Sequence, residues 1–392
     1  MSVTTGMSVH RTASVVVVGA GAAGLAVALQ LSRAGVGDVL VVDRNASPGM
    51  GSTSRANGGV RAQFTTAINI AFSRFTIEKL RELDEISGGR VGFRANGYLF
   101  MTGTEAGEAA LQRARALQRS QGIDVDWLSP ADVMTLVPFV DQEGLRAGTF
   151  CSTDGLIDPH GVTSALWDEA RRLGTVLLPD TEVIDVAPFE SGVAVHTSSG
   201  DISAEYAVNA AGPYAAPLAA TAGIELAVTP RRRNLACTEA IAGMPDVTPM
   251  LVDSDTGVLT RREGSGFLIG FSDPHDPPCL DTSFDPAFLD AIAARTGNRF
   301  SFLESAHINT RKCWAGLYPE TPDHHAIVDV PPQAPRFIQC AGFGGHGIMH
   351  SIAAGQAVTE LITDGRCTSF DLHPLRLQRF DEPGGAAETA VL

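Results

Sequence analysis

The sequence is poor in lysine and carries a large excess of negative charge. Of its 29 basic residues, all but Lys79 and Lys312 are arginines. The net charge of −15 argues against nucleic acid and an anionic membrane surface as partners. An anionic substrate must therefore be bound by arginines close to it, and any chemistry that needs a lysine is limited to two positions.

Metal-binding patterns are also missing. The six cysteines include no C-x-x-C pair, and the ten histidines include one adjacent pair but no H-E-x-x-H motif. These cysteines are typical of reduced, mostly buried thiols in a cytoplasmic protein. The sequence predicts no structural or catalytic metal.

An uncharged run at residues 13–32 is long enough to span a bilayer. Three spaced glycines interrupt it where β-branched residues give way to alanine and leucine, which favours a strand, a turn and a helix over a membrane segment. At 392 residues, with 44% hydrophobic and 19% charged residues, the chain is expected to form two domains of a globular protein. Residues 1–11 and 383–392 are predicted to be flexible termini.

The segment 14–43 carries the strongest signal. Four valines predict a buried strand, and Gly19, Gly21 and Gly24 follow in the G-x-G-x-x-G spacing of dinucleotide-binding proteins. Gly19 permits a tight turn, Gly21 lets the backbone approach a pyrophosphate, and Gly24 allows close packing of helix and strand. The helix opening offers N–H groups to phosphates. Asp43 ends the next predicted strand, where it can accept hydrogen bonds from a ribose diol.

The remaining pattern predicts alternating elements with a second strand–turn–helix near the end of the chain. Predicted helices are 65–86, 105–121, one capped by Ser129 with Pro130 at its first position, 162–173, 286–295 capped by Asp285, and 351–363. Predicted strands are 97–101, 176–178, 181–186, 192–196, 206–210 and 336–341. The strands between 176 and 210 indicate an FAD-binding domain with an inserted β-meander, and residues 222–322 a mostly antiparallel sheet.

Three further stretches matter: GSTSRANGGVR at 51–61, TEV at 181–183 with NAAGP at 209–213, and WAGLYPETPD at 314–323 with AGFGGHG at 341–347. Together with the N-terminal fingerprint, they resemble the D-amino acid oxidase/glycine oxidase/sarcosine oxidase family of FAD-dependent oxidoreductases. The motifs GSTSRANGGVR and WAGLYPETPD are most similar to those of sarcosine oxidase β-subunits and their single-chain relatives. The fingerprint alone does not distinguish FAD from NAD, whereas the C-terminal stretch favours FAD.

The resemblance implies an α/β fold of two interleaved domains. A Rossmann-like FAD-binding domain with a β-meander is expected from residues 12–90, 150–221 and 323–380. A mostly antiparallel-sheet, substrate-binding domain is expected from residues 91–149 and 222–322.

The resemblance also implies which residues bind FAD. Some belong to the fingerprint, some to the loop after Asp43, and the rest to three later turns. They are Gly19, Gly21, Ala22, Ala23, Gly24, Asp43, Arg44, Gly51, Ser52, Thr53, Ser54, Asn57, Gly58, Gly59, Val183, Ala211, Gly212, Gly342, Gly344, Gly345, His346, Gly347 and Ile348.

Four residues are implied in catalysis. Arg61 matches the family arginine that holds the substrate carboxylate, for which a guanidinium offers a bidentate fork; the alternative is a surface arginine paired with an acid. Tyr318 matches a tyrosine near the flavin or is a half-buried core residue. His346 is placed to polarise flavin or substrate, and Lys312 is the one lysine placed to help activate oxygen.

Two departures from the family pattern change the expectation. Gly316 stands where monomeric sarcosine oxidases carry the cysteine that bonds the flavin, so non-covalent FAD is predicted. Met349 stands where those oxidases place a lysine. Transfer of electrons to an acceptor other than O2, or to a partner subunit, therefore stays open, as does a homo-oligomer.

The expected function is oxidation of the C–N bond of a small amine or N-substituted amino acid by hydride transfer to flavin N5. The resulting imine hydrolyses. The alternatives are oxidation of a 2-hydroxy acid or polyol phosphate on the same scaffold, an FAD-holding subunit of a larger dehydrogenase complex, and an NAD-dependent dehydrogenase.

Overall fold

The structure is a computed structural model, and it describes residues 11–390. The helices are α1 Ala22–Arg33, α2 Ala67–Ile86, α3 Glu105–Ser120, α4 Pro130–Leu136, α5 Pro159–Arg172, α6 Ala215–Thr221, α7 Phe288–Thr296 and α8 Gly347–Thr363. The strands are β1 Arg11–Val18, β2 Val39–Val42, β3 Gly59–Val60, β4 Tyr98–Thr102, β5 Asp126–Leu128, β6 Ala147–Cys151, β7 Gly155–Leu156, β8 Val176–Leu178, β9 Val183–Phe189, β10 Gly192–Thr197, β11 Gly200–Asn209, β12 Thr229–Cys237, β13 Met250–Asp253, β14 Leu259–Glu263, β15 Gly266–Gly270, β16 Trp314–Glu320, β17 Ile327–Asp329 and β18 Phe337–Ala341.

The described chain divides into two compact units. The first comprises residues 11–54, 160–229 and 319–385, and the second comprises residues 55–159, 230–318 and 386–390. These units differ from the predicted domains: residues 55–90 and 150–159 group with the second unit, and residues 222–229 and 319–322 group with the first. Residues 55–90 and 150–159 do so because of their partners, since α2 packs against α3 and β3 pairs with β7.

The first unit is built on a mainly parallel sheet with the strand order β17-β18-β11-β1-β2-β8. Its central strand β1 pairs in parallel with both β2 and β11. The run of valines at 15–18 is buried throughout, as expected for a parallel strand covered on both faces. The predicted strand at 206–210 is the end of a longer one, because β11 begins at Gly200 and pairs with β10 as part of the β9–β10–β11 meander.

Helices α1 and α8 of the first unit pack closely against each other. A Cβ atom on Gly355 of α8 would lie 2.7 Å from the backbone of Ala26 in α1. Gln30 and Gln356 are joined across the same pair of helices by a 3.1 Å side-chain hydrogen bond. Glycine at 355 therefore permits a helix contact that any larger residue would hold apart.

The second unit is built on a mostly antiparallel sheet with the order β16-β12-β15-β14-β13-β4-β6-β5, in which the pair β4–β13 is parallel. Its core includes Leu99, Met101, Phe267 and Phe300, all fully buried. The capped helix at Ser129 is confirmed as α4, where the Ser129 hydroxyl and the Asp132 carboxylate form a reciprocal capping box.

Three predictions about helix starts were wrong. Helix α5 begins at Pro159, three residues before the predicted start at 162. Helix α7 begins at Phe288 because residues 286–287 form a turn before it, so its N-cap is Ala287 rather than Asp285. The Asp285 carboxylate accepts from the Ala287 N–H at 3.0 Å and forms an ion pair with Arg232. Helix α8 begins at Gly347, four residues before the prediction, since the glycine-rich turn leads directly into it.

The predicted flexible termini also need correction. Residues 1–10 and 391–392 lie outside the described residues, but Arg11 begins β1. Glu388 is only 1% exposed, so the segment 386–390 is not a free tail. Among residues 11–390, every helix is too short or too polar to cross a lipid bilayer.

Candidate functional site

The fingerprint turn of the first unit is shaped by two glycines that the protein itself requires. Gly19 has φ +109°, and a Cβ there would lie 2.4 Å from the carbonyl oxygen of Ala210. A Cβ on Gly24 would lie 1.9 Å from the carbonyl oxygen of Gly19. These positions exclude any side chain because strand, turn and helix touch there.

Gly21 is different, because little protein fills the space beside it. A Cβ at Gly21 would meet only the hydroxyl oxygen of Thr53, at 3.3 Å. Gly21 is the N-cap of α1 and provides no side-chain cap, while the Ala22 N–H donates to the Thr53 hydroxyl at 3.1 Å. A helix N-terminus beside a hydroxyl and an open glycine suits a phosphate group.

Asp43 and Arg44 lie at the end of β2, next to this turn. The Asp43 carboxylate accepts from the Ala20 N–H at 2.6 Å and from the Asn45 N–H at 2.8 Å. Its Oδ1 also accepts from the Asn45 side-chain amide at 2.9 Å, whereas Oδ2 keeps a second lone pair that can accept from a ribose hydroxyl. The Arg44 guanidinium lies 3.6 Å from the ring centre of Tyr214, a cation–π contact that orients this side chain.

The loop after Asp43 contributes to both units. Residues 52–55 form a 3-10 turn, and the Ser54 hydroxyl donates to the Gly51 carbonyl at 3.0 Å. In the second unit, a Cβ on Gly58 would lie 2.5 Å from the Ile157 carbonyl oxygen, and one on Gly59 would lie 1.7 Å from the Tyr98 hydroxyl. Packing within the second unit therefore requires glycine at 58 and 59, in addition to the contact with FAD that is predicted for both residues.

The second glycine-rich turn of the first unit precedes α8. Gly342 and Gly344 have φ of +73° and +51°, a backbone region that favours glycine. His346 is the N-cap of α8 and gives no side-chain cap to the helix. Its ring is 4% exposed and lies 5.4 Å from that of His350. This turn therefore presents a second uncapped helix N-terminus, with a buried imidazole beside it.

Of the predicted FAD residues not yet placed, Asn57 lies in the second unit, where its side-chain oxygen accepts from the Gly59 N–H at 2.8 Å. The others lie in the first unit. Val183 is half-buried at the start of β9, Ala211 and the positive-φ Gly212 follow β11, and Ile348 is buried on α8. Their contacts with FAD stay predictions.

Arg61 is the most unusual charged residue of the second unit, because its guanidinium is buried and bonded to neutral groups. It is 1% exposed and lies 4.0 Å from the ring centre of Phe64. Its terminal nitrogens donate to the backbone carbonyls of Gln63 and Ala390. Its Nε has no hydrogen-bond partner among residues 11–390. Burial lowers the pKa of Arg61, and nearby acidic groups partly oppose this.

Asp154 holds the loop that carries Arg61. It is fully buried, and its carboxylate accepts from the Ala62 N–H at 2.8 Å and from the Gln63 amide at 3.1 Å. Burial raises the pKa of Asp154 to about 6, although these hydrogen bonds and the positive charge of Arg61 act in the opposite direction. The loop thus has a fixed geometry and a carboxyl group that titrates near neutral pH.

Tyr318 and Lys312 occupy different environments. Tyr318 is half-buried on β16 and is among the groups whose charge acts on Arg61, and the Arg233 guanidinium lies 5.9 Å from its ring centre. Lys312 is exposed in a 3-10 turn before β16. The structure therefore brings Tyr318 near Arg61 and leaves Lys312 at the surface.

The position predicted to lack a covalent flavin link is Gly316, in the middle of β16. A Cβ there would lie 3.0 Å from the side chain of Arg55, whose guanidinium donates to the Ala315 carbonyl at 2.9 Å. The neighbouring Cys313 thiol donates to the Asn309 carbonyl at 3.4 Å. Glycine at 316 fits the packing against Arg55 and offers no sulfur.

Sequence reasoning missed three residues around Arg61. Tyr98 is buried on β4, and burial raises the pKa of its hydroxyl. Asp154 lies in the turn between β6 and β7, and Glu388 lies in a segment expected to be flexible. Their motifs resemble ordinary strand and turn sequences, so only their three-dimensional neighbours mark them.

Comparison with known proteins decides the family. A family model described as FAD dependent oxidoreductase matches residues 14–361. The chain belongs to this family of FAD-dependent oxidoreductases. The resemblance predicted from the four sequence stretches is confirmed, and with it the Rossmann-like fold and FAD as the cofactor.

Individual relatives cover most of the chain. It is similar to bovine FAD-dependent oxidoreductase domain-containing protein 1, with 29% identity over 96% of this chain and 87% of the relative. Mitochondrial sarcosine dehydrogenase of the mouse is 27% identical over 94% of this chain, which spans 41% of that relative. The crystal structure of L-proline dehydrogenase from P. horikoshii superposes with a TM-score of 0.88 and 27% identity, covering 95% of this chain and 99% of that one.

The residues of the first unit fit the cofactor of this family. The open space at Gly21 and the uncapped N-terminus of α1 suit the pyrophosphate of FAD, and Asp43 suits its ribose. The N-terminus of α8 would stabilise negative charge on a reduced flavin ring.

Proposed function

We propose that this flavoenzyme oxidises the C–N bond of a small amino acid whose nitrogen carries a second carbon substituent. Sarcosine and proline, in the names of a relative and of a similar structure, are both amino acids of this kind. The observation that carries the proposal is Arg61. Its buried guanidinium is bonded to neutral carbonyl oxygens, which a carboxylate would outcompete because a bidentate pair of opposite charges is stronger than bonds to neutral acceptors.

Arg61 would hold the substrate by its carboxylate and thereby orient the carbon next to nitrogen. FAD, when bound, accepts the two electrons and the hydrogen that leave this carbon. The substrate amine must be unprotonated, so that its lone pair forms the C=N bond as the C–H bond breaks. Water then hydrolyses the imine to a carbonyl compound and an amine. No acid–base residue is required for the first step if the amine binds in its neutral form.

We infer that the electrons pass to an acceptor other than O2. The chain has two lysines, of which Lys79 is paired with Glu82 on α2 and Lys312 is exposed. Two proteins similar to this chain are named dehydrogenases. Reduced enzyme should therefore reoxidise slowly when air is readmitted, and rapid reoxidation would make it an oxidase.

FAD attachment is proposed to be non-covalent because position 316 is glycine. Denaturation of the yellow protein with acid should release all flavin into the supernatant. Flavin that remains with the precipitated polypeptide would contradict this.

Substrates that differ only in the carboxylate test the proposed function. The FAD-loaded enzyme is mixed anaerobically with L-proline or pyrrolidine, with sarcosine or dimethylamine, and with L-lactate. The absorbance of the flavin band at about 450 nm is followed as it falls. We expect L-proline, sarcosine or both to bleach the flavin much faster than pyrrolidine and dimethylamine, which lack the carboxylate. Bleaching by lactate alone would indicate C–O oxidation, and failure of every amine would overturn the proposal.

A further inference from the structure

The segment 386–390, which we call the strap, lies against Arg61. The Ala390 carbonyl accepts a hydrogen bond from a terminal nitrogen of the Arg61 guanidinium. A bidentate carboxylate would need two adjacent N–H donors of the same guanidinium. The strap therefore occupies part of the site that the proposed function assigns to a substrate carboxylate.

A single buried side chain anchors the strap. Glu388 is 1% exposed, and its carboxylate accepts from the Thr65 N–H at 3.0 Å, the Thr66 hydroxyl at 2.8 Å and the Asn69 amide at 3.1 Å. Thr66 is the N-cap of α2 and makes no side-chain cap of its own. The Glu388 carboxylate thus supplies the negative group that a helix N-terminus favours.

The anchor is ionised at neutral pH. Burial alone would raise the pKa of Glu388, but the hydrogen bonds from Thr65, Ala390 and Thr66 and the charge of Arg61 outweigh it and leave the pKa below its ordinary value. The four donors named around the carboxylate need an acceptor. A glutamine at 388 would place its NH2 group against some of these donors and weaken the anchor.

The rest of the strap is held by fewer contacts: the Thr389 N–H donates to the Thr65 hydroxyl at 3.0 Å, and the hydroxyl oxygens of these two residues lie 3.1 Å apart. Ala386, Ala387 and Thr389 are exposed, and the exposed pair Gly384–Gly385 precedes them, with φ +90° at Gly384. Glycines lack the Cβ that restricts backbone rotation. The second carbonyl on Arg61 belongs to Gln63, two residues away in the loop that Asp154 fixes. Movement of the strap would thus free one donor and leave the other in place.

We propose that the strap is the resident occupant of the Arg61 site and that a substrate carboxylate binds by displacing the Ala390 carbonyl. This inference rests on the proposed function, because it takes Arg61 as the carboxylate ligand. The apparent affinity for a carboxylate is then reduced by the fraction of molecules in which the strap is closed. The strap restricts access of carboxylates to the site.

The test compares Glu388→Gln with Glu382→Gln, a matched change at an exposed glutamate just before the two glycines. Calorimetric titration of the FAD-loaded proteins uses propionate as the probe and propionamide as its uncharged match. We expect Glu388→Gln to bind propionate about tenfold more tightly than Glu382→Gln, with no change for propionamide. Equal or weaker binding of propionate by Glu388→Gln would overturn the proposal. An equal gain in propionate affinity from Glu388→Gln in a protein that also carries Arg61→Gln would overturn it too.

Hydrogen exchange of the unmodified chain gives a second readout that does not depend on the folding of a variant. Saturating propionate should speed exchange of the amides at 386–390, and propionamide should not. Unchanged exchange under propionate would also overturn the proposal. Failure of the proposed function would appear elsewhere, as an unchanged preference for L-proline over pyrrolidine in Arg61→Gln.

Discussion

The two units of this flavoenzyme build their sites in different ways. In the first unit, the residues of each glycine turn are neighbours in sequence, and strand, turn and helix follow one another without interruption. In the second unit, Arg61 is surrounded by groups from distant segments. Asp154, for example, accepts a hydrogen bond from the N–H of Ala62, which is 92 residues away in the sequence. A nucleotide-binding turn is therefore a local structure, whereas the proposed carboxylate site depends on the fold of the whole unit.

This difference explains what could be predicted from the sequence. The βαβ unit at 14–43 and the turn before α8 were correct because spacing alone determines their geometry. Glu388 was missed because its donor Thr65 is 323 residues away, and a run of small residues after Pro383 has no pattern of its own. Asp285 was misassigned as a cap because residues 286–287 form a turn that delays the start of α7 to Phe288.

Gly24→Ala should have the largest effect and would show how strictly the local turn is constrained. The added Cβ would lie 1.9 Å from the Gly19 carbonyl oxygen, and this backbone cannot move without separating α1 from β1. We expect a loss of at least about 3 kcal/mol in the free energy of unfolding. Denaturant titration of the purified apoprotein measures it, and an unchanged midpoint would mean that the turn is not as tight as described.

Gly21→Ala makes the same change three residues earlier and separates binding from folding. Its Cβ would meet only Thr53 Oγ1, at 3.3 Å, so the free energy of unfolding should change by less than about 1 kcal/mol. The Kd for FAD should rise about tenfold, because the Cβ projects into the space proposed for the pyrophosphate. Fluorescence titration of apoprotein with FAD measures this, and normal FAD affinity would place the phosphates elsewhere.

Asp154 should make both the stability of the second unit and anion binding at Arg61 depend on pH. Its folded pKa of about 6 exceeds the ordinary value of 3.8, so the folded protein binds this proton more tightly. Its contribution to stability is consequently lost as the pH rises from 3.8 through about 6. Above that range, the ionised carboxylate also opposes an anion at Arg61.

The expected result is a Kd for propionate about threefold lower at pH 5.5 than at pH 7.5, because protonation removes a negative charge near Arg61. Asp154→Asn should abolish this change while keeping an acceptor for the Ala62 N–H. A pH profile that survives in Asp154→Asn would assign the titration to another group.

The central claim is that Arg61 recognises the substrate carboxylate, and one ratio tests it directly. The kcat/KM for L-proline is divided by that for pyrrolidine in the unmodified enzyme, in Arg61→Gln and in the control Arg74→Gln, an exposed arginine of the same unit. We predict that Arg61→Gln lowers the ratio about 10- to 100-fold, the value of a lost charge-assisted pair, and that the control leaves it unchanged. An unchanged ratio in Arg61→Gln would contradict the account.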